Sequence, residues 1–128
     1  MARILVIEDD QQLRTLLKRY FQRRGHEVME AGDGDTGISI YREHVADVVI
    51  TDLIMPVKEG IETILELKKE FPTSQIIAIS GGGRVAPHSY LQLAKGIGAT
   101  RVFSKPFELE QLHEAVKEIL REKSNSKD

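Results

Sequence analysis

Three short runs in this chain are apolar, largely β-branched and uninterrupted by any polar side chain: Ile4-Leu5-Val6-Ile7, Val48-Val49-Ile50 and Ile76-Ile77-Ala78-Ile79. A strand with one solvated face alternates polar and apolar residues, whereas a strand apolar throughout must be covered on both faces. Each run is also too short to be a buried helix. The runs therefore predict the central strands of a parallel sheet with helices packed on both sides.

The intervening segments carry helical spacing. Leu13, Leu16, Leu17, Tyr20 and Phe21 form one such stripe, and Ile61, Ile64 and Leu65 a second. Tyr90, Leu91, Ala94 and Ile97 follow the same rule, as do Leu109, Leu112, Val116, Ile119 and Leu120. A less regular helix is expected over about Asp35 to Glu43, behind the turn at Gly32-Asp33-Gly34. Glu27-Val28-Met29-Glu30 and Arg101-Val102-Phe103 are shorter and more polar, as edge strands should be. Five strands alternating with five helices make an α/β chain, and right-handed crossovers wind it into a doubly wound parallel sheet.

Composition narrows the chemistry. A length of 128 residues suits one domain, and the absence of cysteine removes disulfides, thiolate zinc sites and thiol nucleophiles. A net charge of −2 gives no overall basic field for nucleic acid or an anionic membrane. The first apolar run is only four residues long before acids begin, too short for a leader or a membrane span, so a soluble cytoplasmic protein is expected. Lys68-Lys69, Lys117, Arg121 and Lys123 lie among glutamates and read as solvated faces. The four histidines, His26, His44, His88 and His113, fall on separate elements without ligand spacing and are expected to be solvated. No apolar residue follows Arg121, so the end of the chain should fray.

In an open α/β sheet the reactive crevice lies beyond the carboxyl ends of the strands. The first strand runs into Glu8-Asp9-Asp10, the third into Thr51-Asp52, the fourth into Ser80 and Gly81-Gly82-Gly83, and the fifth into Ser104-Lys105-Pro106. Carboxylates gathered at one edge tolerate ionisation only if a cation or protons compensate. An all-oxygen site with few protein ligands suits Mg²⁺, and with that ion present a phosphoryl group can be held near Lys105 and attacked by a carboxylate.

The order Glu8-Asp9, Asp52, Ser80 and Lys105-Pro106 on five β/α units resembles the receiver domain of two-component response regulators, including the stand-alone chemotaxis type. The resemblance implies a flavodoxin-like sheet in the order 2-1-3-4-5, with the receiver over residues 1–122 and a flexible tail over 123–128. Carried over residue by residue, it implies that Asp52 accepts a phosphoryl group from a partner's phosphohistidine. Asp9 would ligate Mg²⁺ directly and Glu8 through water, with Asp52 and the backbone carbonyl of Ile54 completing the protein ligands. Ser80 would bond the phosphoryl oxygens, Lys105 would neutralise them, and Lys105-Pro106 would be cis. Asp10 reads instead as a helix cap. The implied partners are a histidine kinase or histidine-phosphotransfer protein at the first helix, and a downstream protein on the face formed by the fourth helix, fifth strand and fifth helix.

Three departures from the family pattern stand out. Val102 occupies the position that usually carries an aromatic switch residue, while Phe103 should face the other way. Ile54 and Gly82 offer no side chain to orient a hydrolytic water, so self-dephosphorylation should be slow. The run Gly81-Gly82-Gly83 should be costly to order.

Competing readings are weaker. Gly32-Asp33-Gly34-Asp35-Thr36-Gly37 matches a dinucleotide fingerprint in letters, but a pyrophosphate would meet two carboxylates there. As a calcium loop it has Gly37 and His44 where ligands belong. A flavodoxin-like cofactor binder needs a phosphate-cradling loop where this chain has three acids. A degenerate receiver serving as a constitutive interaction module remains the alternative to a phosphorylated switch.

Overall fold

A computed structural model describes residues 2–53, 60–81 and 87–125, with backbone alone over 87–91 and 124–125. The elements run β1 (Arg3–Ile7), α1 (Gln11–Arg23), β2 (Glu27–Ala31), α2 (Gly34–Glu43), β3 (Val48–Asp52), α3 (Gly60–Glu70), β4 (Ile76–Gly81), α4 (Pro87–Gly96), β5 (Arg101–Lys105) and α5 (Leu109–Asn125). All four strand pairings are parallel and the order is β2-β1-β3-β4-β5. The α/β doubly wound sheet expected from the strand runs is therefore the fold.

Alternation along the central strands divides the core into two layers. Ile4, Val6, Val48, Ile50, Ile77 and Ile79 face Leu17 and Phe21 of α1 and Leu112, Val116 and Ile119 of α5. Leu5, Ile7, Val49, Ile76 and Ala78 face Ile38 and Tyr41 of α2 and Ile64 and Leu67 of α3. Every apolar residue of the three central runs is at most 1% exposed, which is why none of them carries a polar side chain. β2 and β5 are edges and only half-buried. Val102 and Phe103 pack into opposite layers, as their adjacency requires.

The helix starts follow capping chemistry. Asp10 Oδ1 accepts the Gln12 and Leu13 N–H groups at 3.0 and 3.4 Å, and Asp33 Oδ1 accepts that of Thr36 at 2.8 Å. The Gly32–Gly37 stretch is accordingly a turn and a cap.

α5 runs to Asn125, and ion pairs flank its last turns: Lys123 Nζ lies 3.2 Å from Asp47 Oδ1 and Arg101 lies 3.4 Å from Glu122. Two expectations need correction. Lys68 is not a solvated charge, since its ammonium donates to the carbonyls of Pro72 and Ser74 at 3.0 and 2.7 Å and so closes the end of α3. His26 and His113 are not separate solvated rings, because the packing of α5 beside α1 brings them into contact across 87 residues of sequence. Ile54, Gly82, Gly83 and residues 126–128 lie outside the described residues, as does the side chain of His88.

Gly60 opens α3 with its N–H donating to the Leu53 carbonyl at 2.9 Å, and a Cβ there would meet the backbone of Asp52 and Leu53. Backbone cannot swing aside as a side chain can. Gly60→Ala should therefore lower the unfolding free energy by about 2–3 kcal/mol in a urea titration. Gly96→Ala, with nothing within 4 Å of the added carbon, should change it by less than about 1 kcal/mol.

Candidate functional site

Parallel register sets the site. Ile7 pairs with Thr51, so the next residues, Glu8 and Asp52, emerge side by side where β1 and β3 end. Ser80 pairs with Ser104 and Gly81 with Lys105, which brings a hydroxyl and an ammonium to the same edge. The structure thus gathers Glu8, Asp9, Asp52, Ser80 and Lys105 at one end of the sheet.

Glu8 is only 2% exposed, Asp52 6% and Ser80 1%, while Asp9 is open to solvent. Carboxylate oxygens of Glu8, Asp9 and Asp52 lie within 4.8 Å of one another. Lys105 Nζ stands between two of them, 3.3 Å from Glu8 Oε1 and 3.5 Å from Asp52 Oδ2. The Lys105–Pro106 peptide is cis. Burial first, and then the neighbouring Asp52, push the Glu8 carboxyl up to about 8, against the opposing pull of the Asp10 N–H and Lys105. Burial alone would favour a neutral Lys105, but Asp52 and Glu8 outweigh it and hold the ammonium's pKa above its ordinary value.

The loop carrying the acids is fixed from both sides. The Glu8 N–H donates to the Ala31 carbonyl at 3.0 Å, and Glu8 Oε2 accepts the Asp10 N–H at 3.1 Å. Arg14, which the sequence reading passed over, donates from Nη1 to the Glu8 carbonyl at 2.8 Å and from Nε to Glu30 at 3.1 Å. Lys18 holds the other oxygen of Glu30 at 2.7 Å. The signal for Arg14 was its place one helical turn beyond the Asp10 cap, where a long side chain can return over the loop.

The donor set consists of hard carboxylate oxygens, with one carboxyl, that of Glu8, forced toward its protonated form by burial and by the neighbouring Asp52. Such a set fits a hard divalent cation such as Mg²⁺, with Glu8, Asp9 and Asp52 as the available protein ligands. The expected Ile54 carbonyl lies outside the described residues.

The response regulator receiver domain model matches residues 4–117. The chain belongs to the response regulator receiver domain family. It is 29% identical to sporulation initiation phosphotransferase F of Bacillus subtilis, over 96% of this chain and 97% of that protein. It is 31% identical to the transcriptional regulatory protein CpxR of Escherichia coli, over 94% of this chain but only 50% of that one. Among solved structures, a receiver domain protein from Clostridium thermocellum superposes with a TM-score of 0.89 at 31% identity, covering 97% of this chain and 98% of that one. The response regulator TrrA from Thermotoga maritima, in complex with Mg²⁺-BeF, superposes at 0.81 with 30% identity, over 93% and 99% of the two chains.

Receiver domains are signalling modules of two-component systems that work with histidine kinases or phosphotransfer proteins and with downstream targets. Among the described residues of this receiver no helix is long and apolar enough to cross a membrane.

Because the folded receiver holds the Glu8 proton more tightly than the unfolded chain, the stability Glu8 contributes is full below pH 4.5 and is lost as pH rises toward about 8. In metal-free buffer Glu8→Gln should thus be more stable than the wild type by about 1–3 kcal/mol at alkaline pH, with the gap closing in acid. Denaturant titrations across that range check it; a gap independent of pH would contradict the assignment.

Proposed function

We propose that this receiver is a phosphorylation-dependent switch in which Asp52 takes a phosphoryl group from the phosphohistidine of a histidine kinase or phosphotransfer protein. The observation that carries the reading is the convergence of Glu8, Asp9 and Asp52 on one point with Lys105 set between two of them. A carboxylate oxygen of Asp52 forms the new bond to phosphorus while the phosphorus–nitrogen bond of the donor breaks and its electron pair returns to the imidazole. The product is an acyl phosphate.

Each neighbour has a role in that transfer. Asp9 and Asp52 would hold Mg²⁺ directly and Glu8 through water, and the ion would supply charge neutralisation for phosphate oxygens in a pocket otherwise hostile to anions. Lys105 exchanges its contact with Asp52 for one with the phosphoryl group, and the Ser80 hydroxyl donates to a second phosphoryl oxygen. Arg14 keeps the β1–α1 loop in place through the Glu8 carbonyl. The added charge favours the conformation in which Ser80 and Lys105 are drawn inward, and the change is read by a downstream protein on the α4–β5–α5 face. The presence of Mg²⁺ in the Thermotoga maritima relative supports the choice of ion. The reading implies a cytoplasmic protein whose own chemistry is limited to gaining and losing its phosphoryl group, without nucleic acid or membrane as a direct partner of this domain.

Incubation with Mg²⁺ and acetyl phosphate, followed by intact mass measurement, tests the proposal. One phosphoryl group should add to the wild type and none to Asp52→Ala. No addition to folded wild-type protein, or the same addition to Asp52→Ala, would overturn it and leave a constitutive interaction module.

A further inference from the structure

His26 precedes β2, at the end of the sheet opposite the carboxylates, and meets there the side chain of His113, one turn into α5. The two ends are separated by the length of a five-residue strand, about 16 Å. The Nε2 atoms of the two rings are 3.3 Å apart. The rings stand nearly perpendicular, at 81°, with their centroids 5.4 Å apart. Fully buried Phe21 packs edge-on against both, at 6.1 and 5.7 Å, and Tyr20 against His113 at 6.1 Å. The pair is thus held in place by the core beneath it and is half-open to solvent above.

We propose that His26 and His113 form a two-imidazole site for Zn²⁺ that ties α5 to the start of β2. The separation of the nitrogens is the main argument. Two nitrogens bound at about 2.0–2.1 Å to a tetrahedral ion lie about 3.3–3.4 Å apart, whereas the right angle of an octahedral ion brings them to about 2.9 Å. The observed 3.3 Å matches the tetrahedral edge. Imidazole is a good ligand for zinc and a poor one for Mg²⁺, so the two ends of the sheet select different ions. With no cysteine in the chain, no thiolate competes.

Metal-free, the same two atoms share a proton. The Ala2 N–H donates to His26 Nδ1 at 3.4 Å, which leaves the proton of a neutral His26 on Nε2, directed at His113. Zinc binding moves that proton to Nδ1 and gives up the Ala2 contact, which is already at the long limit of a hydrogen bond. Both rings are disposed to be neutral. Burial first, then the chain's amino terminus, lowers the affinity of His26 for a proton; burial, then Lys117, His26 and Arg24, lowers that of His113. The nearby cations are engaged elsewhere: Arg24 lies over the Tyr20 ring at 3.5 Å and Lys117 pairs with Glu114 at 3.1 Å. Solvent completes the ion's coordination.

Isothermal titration of the full chain with ZnCl₂, in millimolar Mg²⁺ and in an Asp9→Asn background that disables the acidic site, tests the proposal. One zinc ion should bind with micromolar affinity, and His26→Gln or His113→Gln should weaken it at least tenfold while His44→Gln does not. In wild-type protein, zinc should shift the imidazole NMR signals of His26 and His113 and leave those of His44 and His88 in place, a readout independent of whether the variants fold. No binding at tenfold excess zinc, equal affinity in the histidine variants, or shifts confined to other histidines would overturn it.

Discussion

Glu8 and Asp52 emerge from neighbouring strands, almost wholly buried, with the Lys105 ammonium in contact with both. Two carboxylates so placed cannot both ionise without cost, and much of the surrounding structure serves to hold them there. The three central strands are apolar on both faces and packed between two helical layers, so their ends cannot shift apart. Gly60 has no side chain because the backbone of Asp52 and Leu53 occupies the space where one would go. Arg14 and the Asp10 cap fix the loop that carries Glu8 and Asp9. Stability given up at the strand ends is offset by the core below them, which is the usual arrangement where a reactive group must be kept in an unfavourable environment.

The same arrangement explains how a small group could act as a switch. Lys105 is held by attraction to Glu8 and Asp52 together, so any change of charge at Asp52 changes what Lys105 prefers. Lys105 ends β5, and β5 lies against α4 on one side and near α5 through the Arg101 ion pairs on the other. A local electrostatic event is thereby connected to a surface built of three elements. Val102 packs with the α2–α3–α4 layer of the core.

Much of this was legible in the amino-acid sequence because it depends on local rules. Uninterrupted β-branched runs mark strands buried on both faces, and residues immediately after them must lie at one edge of a parallel sheet. Asp10 and Asp33 were readable as caps from their position before helical spacing. What was hidden depends on contacts between elements distant in sequence. Nothing in the spacing of His26 and His113 reveals that α5 sets them face to face. Lys68 looks like any charged helix residue until the turn beyond it presents two carbonyls to its ammonium. Arg14 fell between these cases, since its position relative to the cap was visible and its acceptor was not.

A divalent cation should relieve the electrostatic liability of the acidic edge, and the unfolding free energy at alkaline pH, measured as MgCl₂ is added at constant ionic strength, reads this relief. It should rise, gaining about 1.4 kcal/mol per tenfold increase in Mg²⁺ beyond the dissociation constant. The rise should be absent in Asp9→Asn. A flat response in the wild type, or an equal rise in the variant, would contradict it.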